Sequence, residues 1–435
     1  MARPQPPPWL PLDQAPNLAR EAIDHAARSL ASGNPRDALR AAGWAWHHQR
    51  YLREAYEMAG RAAREANEPE LARAFSTIIA EPHAAGPWLQ AGWALVDQGA
   101  SDLAVPLLEE AYRIEPENLE ARESLVIAYS DEGRHEDVVG LASTMNLGER
   151  PSVVFPLAWS ALMTRRTDLV ERAMAGLSRL AERTPEVRGV YAKAAAGLER
   201  FSAFPPDDDV RHWHYVQYGG VTLDLSDDLD LAGGRYNLLS FTCEQVAMCL
   251  RRLIRVCEEL EVPLGPWGYG TRDGEILARA LAGLTASSAV QGMPAQGWLV
   301  MGDPRELDSR RDEFNMNEPR VRTFALGFPW TMWGPRVVDV TGLWAELAVL
   351  PWNGGWRPSS GGGSVREIPI DRRPAAAIAA DVVAAAGAAQ VDRALLDFVH
   401  LRRSLITLVR RQAPRGLPYV PDAPLPAASL NGMLG

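Results

Sequence analysis

The most constraining feature of this chain is a helix-turn-helix pattern that repeats about every 34 residues through its first half. The turns between paired helices are predicted at Gly33, Asn67, Gly99, Gly133 and Arg166, which gives spacings of 34, 32, 34 and 33 residues. A fixed period in this range is typical of stacked helical hairpins. Because a single hairpin cannot bury its apolar face, the pattern predicts a solenoid with one continuous core and a curved surface suited to a partner.

The third unit carries the clearest pattern of large, small, apolar and turn residues. Its key positions are Trp88, Gly92, Leu95, Gly99, Ala104, Leu108, Ala111 and Pro116. This pattern resembles the tetratricopeptide repeat (TPR) family, and the resemblance covers residues 16–200. It implies a TPR-like helical-hairpin solenoid that recruits a protein or peptide partner into its groove.

Helical spacing predicts which side chains face that groove. The six candidates on two successive units are Gln90, Trp93, Asp97, Glu123, Ile127 and Asp131. An inward tryptophan beside carboxylates would anchor a basic or aromatic peptide; alternatively, Trp93 packs against a neighbouring helix. TPR proteins that clamp a chaperone's terminal carboxylate use inward Lys, Arg and Asn, which this face lacks, so that partner is not expected.

Charge and lysine usage exclude several kinds of chemistry. Lys193 is the only lysine among 45 basic residues, which favours a bacterium with a GC-rich genome. The second half therefore cannot contain a P-loop lysine, a kinase-type lysine or a Schiff-base lysine. A formal net charge of −10 argues against a nucleic-acid partner.

Neither a membrane nor a metal partner is expected. The chain contains no apolar run of about 18 residues and no apolar signal region at its start, which predicts a cytoplasmic protein. Cys243, Cys249 and Cys257 fall on one predicted helix, with spacing that fits neither a zinc site nor a disulfide framework. They are interpreted as reduced core residues, and no cofactor is predicted.

The pattern changes after residues 204–209, a helix-breaking, strongly acidic stretch. The predicted plan is a Pro-rich disordered tail (1–14), the solenoid (15–204), an α/β layer domain with a partly parallel sheet (205–372), C-terminal helices (373–412) and a second Pro-rich tail (413–435). Strands are predicted near 213–225, 236–241, 268, 297–301, 321–328 and 335–340, helices over 243–260, 273–284, 304–314 and 374–411, and a Gly/Ser-rich loop at 353–364.

Two loops at the ends of predicted strands are candidates for a small anionic ligand, since ligands of open α/β sheets bind at the carboxyl ends of strands. The candidate residues are Gly268, Gly270, Thr271, Arg272, Asp273, Gly274, Asp303 and Arg305. Backbone N–H groups together with Arg272 would hold a phosphate or carboxylate. The alternative is structural: glycines that only permit a capped turn, and Asp303 as a helix N-cap before Pro304.

The order of strands, glycine turn and acid-ended strand also resembles, faintly, the type I phosphoribosyltransferase core. That family places an acidic pair and a Thr/Ser-Gly loop on the ribose phosphate. Here Gly302 replaces the first acid, and no Thr-Gly phosphate cradle follows Pro304. The resemblance therefore implies a topology and a domain that binds a ligand without converting it.

Three further groups have a functional and a structural interpretation. His212 and His214 would share one face of a strand and ligate a metal, or would be surface histidines. The acidic stretch 224–230 departs from the EF-hand pattern and is interpreted as a solvated turn. A tryptophan group would bind a stacked ligand or close a core: Trp330, Trp333, Trp344, Trp352 and Trp356.

A nucleophilic enzyme is not indicated. Ser240, Ser287, Ser288 and Thr331 lie outside any G-x-S-x-G motif, and no histidine is placed beside them by sequence, so no catalytic residue is assigned. The favoured function is a protein-interaction scaffold or adaptor whose α/β domain binds a small anionic ligand. The alternative is an enzyme of nucleotide-like or phosphorylated substrates, with Arg272 and the 268–274 backbone on the anion and Asp303 on a hydroxyl or metal.

Overall fold

The computed structural model describes residues 9–145, 150–205, 209–225, 235–310, 313, 320–329, 338–358, 365–387 and 392–408. These residues form two compact units, the first ending at Tyr191 and the second starting at Ala192.

The first unit is helical. After a short 3₁₀ helix, Leu12–Gln14, its helices are α1 (Asn17–Ala31), α2 (Pro35–His48), α3 (Arg53–Glu65), α4 (Pro69–Ala80), α5 (Ala85–Asp97), α6 (Ser101–Ile114), α7 (Leu119–Asp131), α8 (His135–Ala142), α9 (Pro151–Met163) and α10 (Thr167–Arg183). A further helix, α11 (Pro185–Ala203), crosses from the first unit into the second. The unit therefore consists of helical repeats, as the sequence period predicts.

Left-handed backbone at the turns explains the period. Gly33, Asn67, Gly99 and Gly133 have φ values of 75°, 61°, 75° and 65°. Such residues end helices because the left-handed conformation lets the last turn close on itself, and glycine and asparagine adopt it at low cost. In the fifth turn the left-handed residue is Arg165, at φ 59°, so the predicted position at Arg166 was wrong by one residue.

Small residues at predicted positions permit close helix packing. A Cβ atom added at Gly92 on α5 would lie 2.6 Å from Leu108 of α6, so only glycine fits there without displacement. Trp88 and Leu95 are fully buried beside it. The third unit is therefore packed through the residues that its sequence pattern singles out.

The first and third helix pairs contact each other directly through α2 and α6. Trp46 Nε1 donates a hydrogen bond to the carbonyl oxygen of Leu103 at 3.2 Å. A Cβ at Gly43 would lie 2.6 Å from the Leu103 side chain, and Arg50 forms an ion pair with Glu109 at 2.5 Å. In a regular solenoid each repeat contacts only its neighbours, so this packing departs from simple one-dimensional stacking.

Part of the predicted N-terminal tail is ordered. Leu10 forms a β-bridge with Leu52, and the Trp9 ring lies 5.5 Å from the ring of Tyr56. The prediction of disorder over 1–14 is therefore wrong for residues 9–14, because an apolar Trp-Leu pair follows the prolines and packs on α3. Residues 1–8 and 413–435 lie outside the described residues.

The second unit contains a seven-stranded sheet. Its helices and strands are α12 (Val210–Tyr218), β1 (Val221–Thr222), β2 (Arg235–Ser240), α13 (Cys243–Glu259), β3 (Trp267–Tyr269), α14 (Arg272–Thr285), β4 (Ala289–Gln291), β5 (Gly297–Met301), a 3₁₀ helix (Pro304–Arg310), β6 (Val321–Phe328), β7 (Val340–Val349), β8 (Gly355–Pro358), β9 (Val365–Ile368), α15 (Ala375–Ala385) and α16 (Arg393–Arg402).

Every strand pairing in the seven-stranded sheet is parallel. The order is β1-β7-β6-β5-β3-β4, and β2 also pairs with β7. In register, β2 places Leu238 beside Leu347, whereas β6 places Phe328 beside Trp344 on the other side of β7. The sheet is thus more uniformly parallel than predicted, and only β8 and β9 form an antiparallel pair among the described strands.

The predicted strand at 213–225 was wrong. Residues 210–218 form α12, Gly219 follows in the left-handed conformation at φ 71°, and only Val221–Thr222 is a strand. The Asp209 side chain starts the helix by accepting the backbone N–H of His212 at 2.9 Å. Because nearly every α12 residue is buried, the segment shows no amphipathic period that would distinguish a helix from a strand.

Three other boundaries differ from the predictions. The last long strand, β7, begins at Val340, where the predicted strand 335–340 ends; residues 335–337 lie outside the described residues. The predicted loop at 353–364 contains β8, and 359–364 are not described. The C-terminal helices α15 and α16 pack against α13, so they belong to the second unit and not to a separate extension.

Candidate functional site

Three of the six predicted groove residues form an exposed surface on α5. Trp93 is 45% exposed, and Gln90 and Asp97 are also exposed. Spacings of three and four residues place them on one side of the helix. The other large aromatic residues near this part of the unit, Trp88 and Tyr56, are fully buried. A half-exposed tryptophan is therefore the exception here, and the alternative that Trp93 is packed away does not hold.

Two of the three candidates on α7, Glu123 and Asp131, are already engaged within the chain. Asp131 is only 5% exposed and accepts a hydrogen bond from Ser101 Oγ at 2.9 Å. Glu123 forms an ion pair with Arg150 at 2.5 Å, and Ile127 is half-buried. The expectation that Asp131 points into an open groove is wrong, because the start of α6 covers it.

The two predicted ligand loops do meet at one edge of the parallel sheet. Because β3 and β5 are neighbours, their carboxyl ends bring Thr271 and Asp303 together. Thr271 Oγ1 accepts the backbone N–H of Gly274 at 3.1 Å and donates to Glu306 Oε2. Glu306 Oε1 in turn accepts the backbone N–H of Asp303 at 2.8 Å. Glu306 thus joins the two loops, and we name this group the loop cluster: Thr271, Asp273, Asp303, Arg305 and Glu306.

Sequence reasoning missed Glu306, although a signal was present. In Asp303-Pro-Arg-Glu306 an acid lies three residues after a possible N-cap, which is the spacing of a capping box. The reciprocal bond from the Asp303 N–H to the Glu306 carboxylate is the one that this motif predicts.

Close packing accounts for the glycines of the loops. An added Cβ would lie 2.6 Å from the Val300 carbonyl oxygen at Gly274, 2.6 Å from the Gly292 carbonyl oxygen at Gly268, and within contact of Glu306 at Gly302. These positions need glycine because another part of the backbone or the cluster approaches closely. For these three glycines, the structural interpretation is therefore sufficient without a bound phosphate.

The charged side chains of the two loops already have partners in the chain. Arg272 donates to the backbone carbonyl oxygens of Asp371 at 2.5 Å and Arg373 at 3.2 Å. Asp273 accepts from Trp352 Nε1 and from Asn353 Nδ2, each at 2.7 Å. A bound anion would have to displace such contacts or use the backbone alone.

The second arginine of the loops is occupied in the same way. Arg305 pairs with Asp303 at 2.6 Å and donates to the Glu346 carbonyl oxygen at 2.9 Å. Both arginines predicted to hold an anion are thus engaged, and whether the loops bind one stays a prediction.

Burial gives Glu306 unusual acid-base behaviour. Removal from water raises its pKa to about 8, and the negative charges of Asp273 and Asp303 act in the same direction. The hydrogen bonds from Thr271 and Asp303 lower the pKa but do not outweigh burial. At neutral pH the carboxyl group therefore carries a proton, and a protonated glutamic acid at the ligand-binding edge of an α/β sheet is suited to donate one.

The histidine pair does not form a metal site. Because α12 is a helix, His212 and His214 point in different directions. His212 Nδ1 lies 3.0 Å from Asp209 Oδ1, whereas His214 is fully buried between Tyr218 and Trp344, and burial lowers its pKa to about 3. Among the residues that the structure describes, no group of three or more His, Cys, Asp or Glu side chains is placed to hold a metal.

The cysteines and the described tryptophans of the second unit are core residues. Burial raises the pKa of the Cys249 and Cys257 thiols to about 12, and neither forms a disulfide. Trp344 and Trp352 are each 1% exposed, so the docking interpretation is wrong for both. Trp330 and Trp333 lie outside the described residues, as does the side chain of Trp356.

The hydroxyl candidates do not form a catalytic triad in the described part of the chain. Ser287 Oγ lies 2.9 Å from Thr285 Oγ1, and the buried Ser240 Oγ has no hydrogen-bond partner among the described residues. Thr331 and the acidic stretch after residue 225 lie outside the described residues.

Comparisons with known proteins add little to this picture. No protein-family model matches the chain, and no curated protein matches it. A solved structure of a thermophilic TPR protein from Thermus thermophilus is similar over 41% of this chain and 98% of that chain, at 20% identity and a TM-score of 0.24. A TM-score this low carries no argument, and the comparisons do not support the resemblance to the phosphoribosyltransferase core. Within the described residues, no helix has the length and apolarity needed to cross a membrane.

Proposed function

We propose that the chain is a protein-interaction scaffold whose helical unit, a TPR-like solenoid, recruits a partner through the surface formed by Gln90, Trp93 and Asp97. The observation that carries the proposal is the exposure of Trp93, which is 45% on a helix whose other large apolar side chains, Trp88, Leu89, Leu95 and Val96, are buried. Tryptophan is enriched among residues that dominate binding energy, because its ring offers a large apolar area and one hydrogen-bond donor.

The chemistry of this surface favours a segment that combines an apolar with a basic side chain. The Trp93 ring can receive an apolar group or the face of a guanidinium, and Asp97, four residues on, supplies a carboxylate at the edge of the contact. A rim carboxylate mainly steers and selects a partner, whereas the central aromatic side chain supplies most of the affinity. Replacement of Trp93 is therefore the decisive perturbation.

Peptide binding by the full-length protein tests this function. The probes are peptides that combine one aromatic residue with two or three arginines or lysines, and the same peptides with glutamate replacing the basic residues. We expect the basic set to bind, and Trp93→Ala to weaken binding at least about tenfold in fluorescence polarisation. Leu18→Ala is the matched control, since Leu18 is an apolar residue of the same unit that is 58% exposed. Equal binding by wild type and Trp93→Ala, or a preference for the acidic set, would refute the proposal.

A second candidate function rests on Glu306. A carboxyl group with a pKa of about 8, held between two strand ends, favours proton transfer to or from a ligand at the loop cluster. In this alternative, Glu306 is the acid that donates a proton to the substrate. The substrate is surrounded by the predicted ligand residues Gly268, Gly270, Thr271, Arg272, Asp273, Gly274, Asp303 and Arg305. Phosphomonoesters and nucleotides are the first ligands to titrate, and Glu306→Gln should change their affinity or turnover while peptide binding stays unchanged.

A further inference from the structure

The second unit contains a cavity of about 450 Å³ at the edge of the sheet opposite to the loop cluster. Arg322, the second residue of β6, lies at the amino end of its strand. The other lining residues directly follow α13 or lie at positions 403 and 406–408. Pockets that hold small organic molecules typically measure about 300–1,000 Å³. The cavity is thus of a size that suits a small ligand.

Four aliphatic residues, two arginines and Thr407 line this cavity. The lining side chains that define its chemistry are Leu260, Val262, Ile406, Leu408, Arg322 and Arg403. Four aliphatic residues favour an apolar ligand body, and two guanidinium groups favour a negative charge.

Of these two cations, Arg322 is the one without a partner among the described residues. Its side chain is partly buried, and its Nε is fully buried without a hydrogen-bond acceptor there. Neither an ion pair nor a side-chain hydrogen bond links its guanidinium to any part of the chain that the structure describes. A buried donor left without an acceptor destabilises the folded state, and does so more strongly when the group is charged. An anion in the cavity would remove this destabilisation.

The helix end beside the cavity does not supply the missing acceptor. The last carbonyl groups of α13 are used by the chain reversal that follows: Val262 N–H donates to Cys257 at 2.8 Å, and Glu261 N–H donates to Glu258 at 3.1 Å. Glu261 has φ 57°, so this is a Schellman motif. The Glu261 carboxylate faces Arg403, at 3.3 Å. Arg403 is therefore already paired, and Arg322 is the arginine of this cavity that has no partner in the part of the chain that the structure describes.

We propose that this cavity binds a small organic oxyanion with an apolar body, and that Arg322 holds the oxyanion. A guanidinium presents N–H donors in a planar fork that matches a carboxylate or phosphate. Leu260, Val262, Ile406 and Leu408 contact the apolar body. The cavity shares no lining residue with the loop cluster or with the surface formed by Gln90, Trp93 and Asp97.

Calorimetric titration of the full-length protein with four probes tests the class of ligand. The probes are octanoate, octyl phosphate, 1-octanol and inorganic phosphate. We expect octanoate or octyl phosphate to bind at least about tenfold more tightly than either 1-octanol or inorganic phosphate, because only these two combine the anion with the apolar body. The tighter of the two identifies the source of the oxyanion as a carboxylate or a phosphate. The proposal would be overturned if neither octanoate nor octyl phosphate bound with a Kd below about 5 mM, or if 1-octanol bound as tightly as they do.

Three variants test the residues. Arg322→Gln should weaken binding at least about tenfold, whereas Arg255→Gln, at an exposed arginine of α13 that pairs with Glu258, should leave it unchanged. Ile406→Glu keeps the proposal testable if Arg322→Gln fails to fold, because its new carboxylate would pair with Arg322 and compete with the ligand. Circular dichroism checks that each variant is folded. Wild-type affinity in a folded Arg322→Gln or Ile406→Glu protein would show that Arg322 does not hold the anion.

Discussion

Replacing Glu306 by glutamine should stabilise the second unit at and above neutral pH. Glutamine keeps the size of the side chain, and its amide oxygen can still accept the Asp303 N–H. Its amide nitrogen can donate to Thr271 Oγ1, where the wild-type carboxyl group now accepts. What the substitution removes is the free-energy cost of ionising a buried carboxyl group next to Asp273 and Asp303.

The size of the effect follows from the difference in proton binding. The pKa of Glu306 rises from its ordinary value of 4.5 to about 8 on folding. Between these values the folded chain keeps a proton that the unfolded chain has lost, so rising pH favours unfolding. This pKa difference of about 3.5 units destabilises the folded state by up to about 5 kcal/mol above pH 8, and by about 3 kcal/mol at pH 7. Because the side chain is partly exposed, we expect about half of these values.

Pulsed thiol labelling can measure this effect in the second unit alone. All three cysteines lie on α13, and Cys249 and Cys257 are fully buried, so their labelling in urea reports unfolding of that unit. The advantage of Glu306→Gln should be near zero at pH 4.5, should grow to pH 8 and should then stay constant. Glu258→Gln, at a glutamate that is 45% exposed, is the control and should show a change below about 1 kcal/mol at every pH. A Glu306→Gln advantage that does not vary between pH 5 and 8 would refute the reasoning.

Three further substitutions test the packing that the structure describes. Gly92→Ala should destabilise the helical unit by about 1–3 kcal/mol, because the added methyl group would contact α6. Its control is Gly86→Ala on the same helix, where an added Cβ has no atom within 4 Å, and which should be neutral or stabilise by up to about 1 kcal/mol. Urea unfolding followed by circular dichroism compares the two variants. Trp46→Phe should cost about 1–3 kcal/mol in the same assay because it removes the hydrogen bond from Trp46 to the Leu103 carbonyl oxygen and leaves space where the larger buried ring packed. An unchanged midpoint would contradict the α2–α6 contact. Asp209→Ala should cost about 1–2 kcal/mol at pH 7 by removing the cap of α12, measured by thiol labelling. Burial raises the pKa of Asp209 but its hydrogen bonds with His212 outweigh this and lower it, so the cost should shrink as the pH falls below 3.8.

The elements that the sequence predicts well are those set by local backbone chemistry. Strands β5 and β6 begin and end at the predicted residues, and the turns at Gly33 and Gly99 are left-handed. Each depends on a few consecutive residues, such as a short apolar run or a glycine that tolerates positive φ. Such signals are local in the sequence and can be recognised without knowing the tertiary contacts.

Sequence reasoning failed where burial hides the pattern. Along α12, Trp213, His214 and Tyr215 are consecutive and all buried, so neither a helical nor a strand period can be recognised. Glu306 was missed for a different reason. Its capping-box spacing was present in the sequence, but its significance depends on Thr271, which only the neighbouring strand brings close.

A repeat period also cannot predict contacts between units that are not neighbours. Gly43 on α2 packs against Leu103 on α6, although three helices lie between them in the sequence, and no local sequence pattern predicts this contact. Because the first three helix pairs therefore depart from strict one-dimensional stacking, the geometry of a regular solenoid is a poor guide to which side chains line a groove. Asp131 illustrates the error, since helical spacing places it inward but Ser101 covers it. The case for a binding surface consequently depends on the exposure of Trp93 in the structure, and its test is the loss of binding in Trp93→Ala.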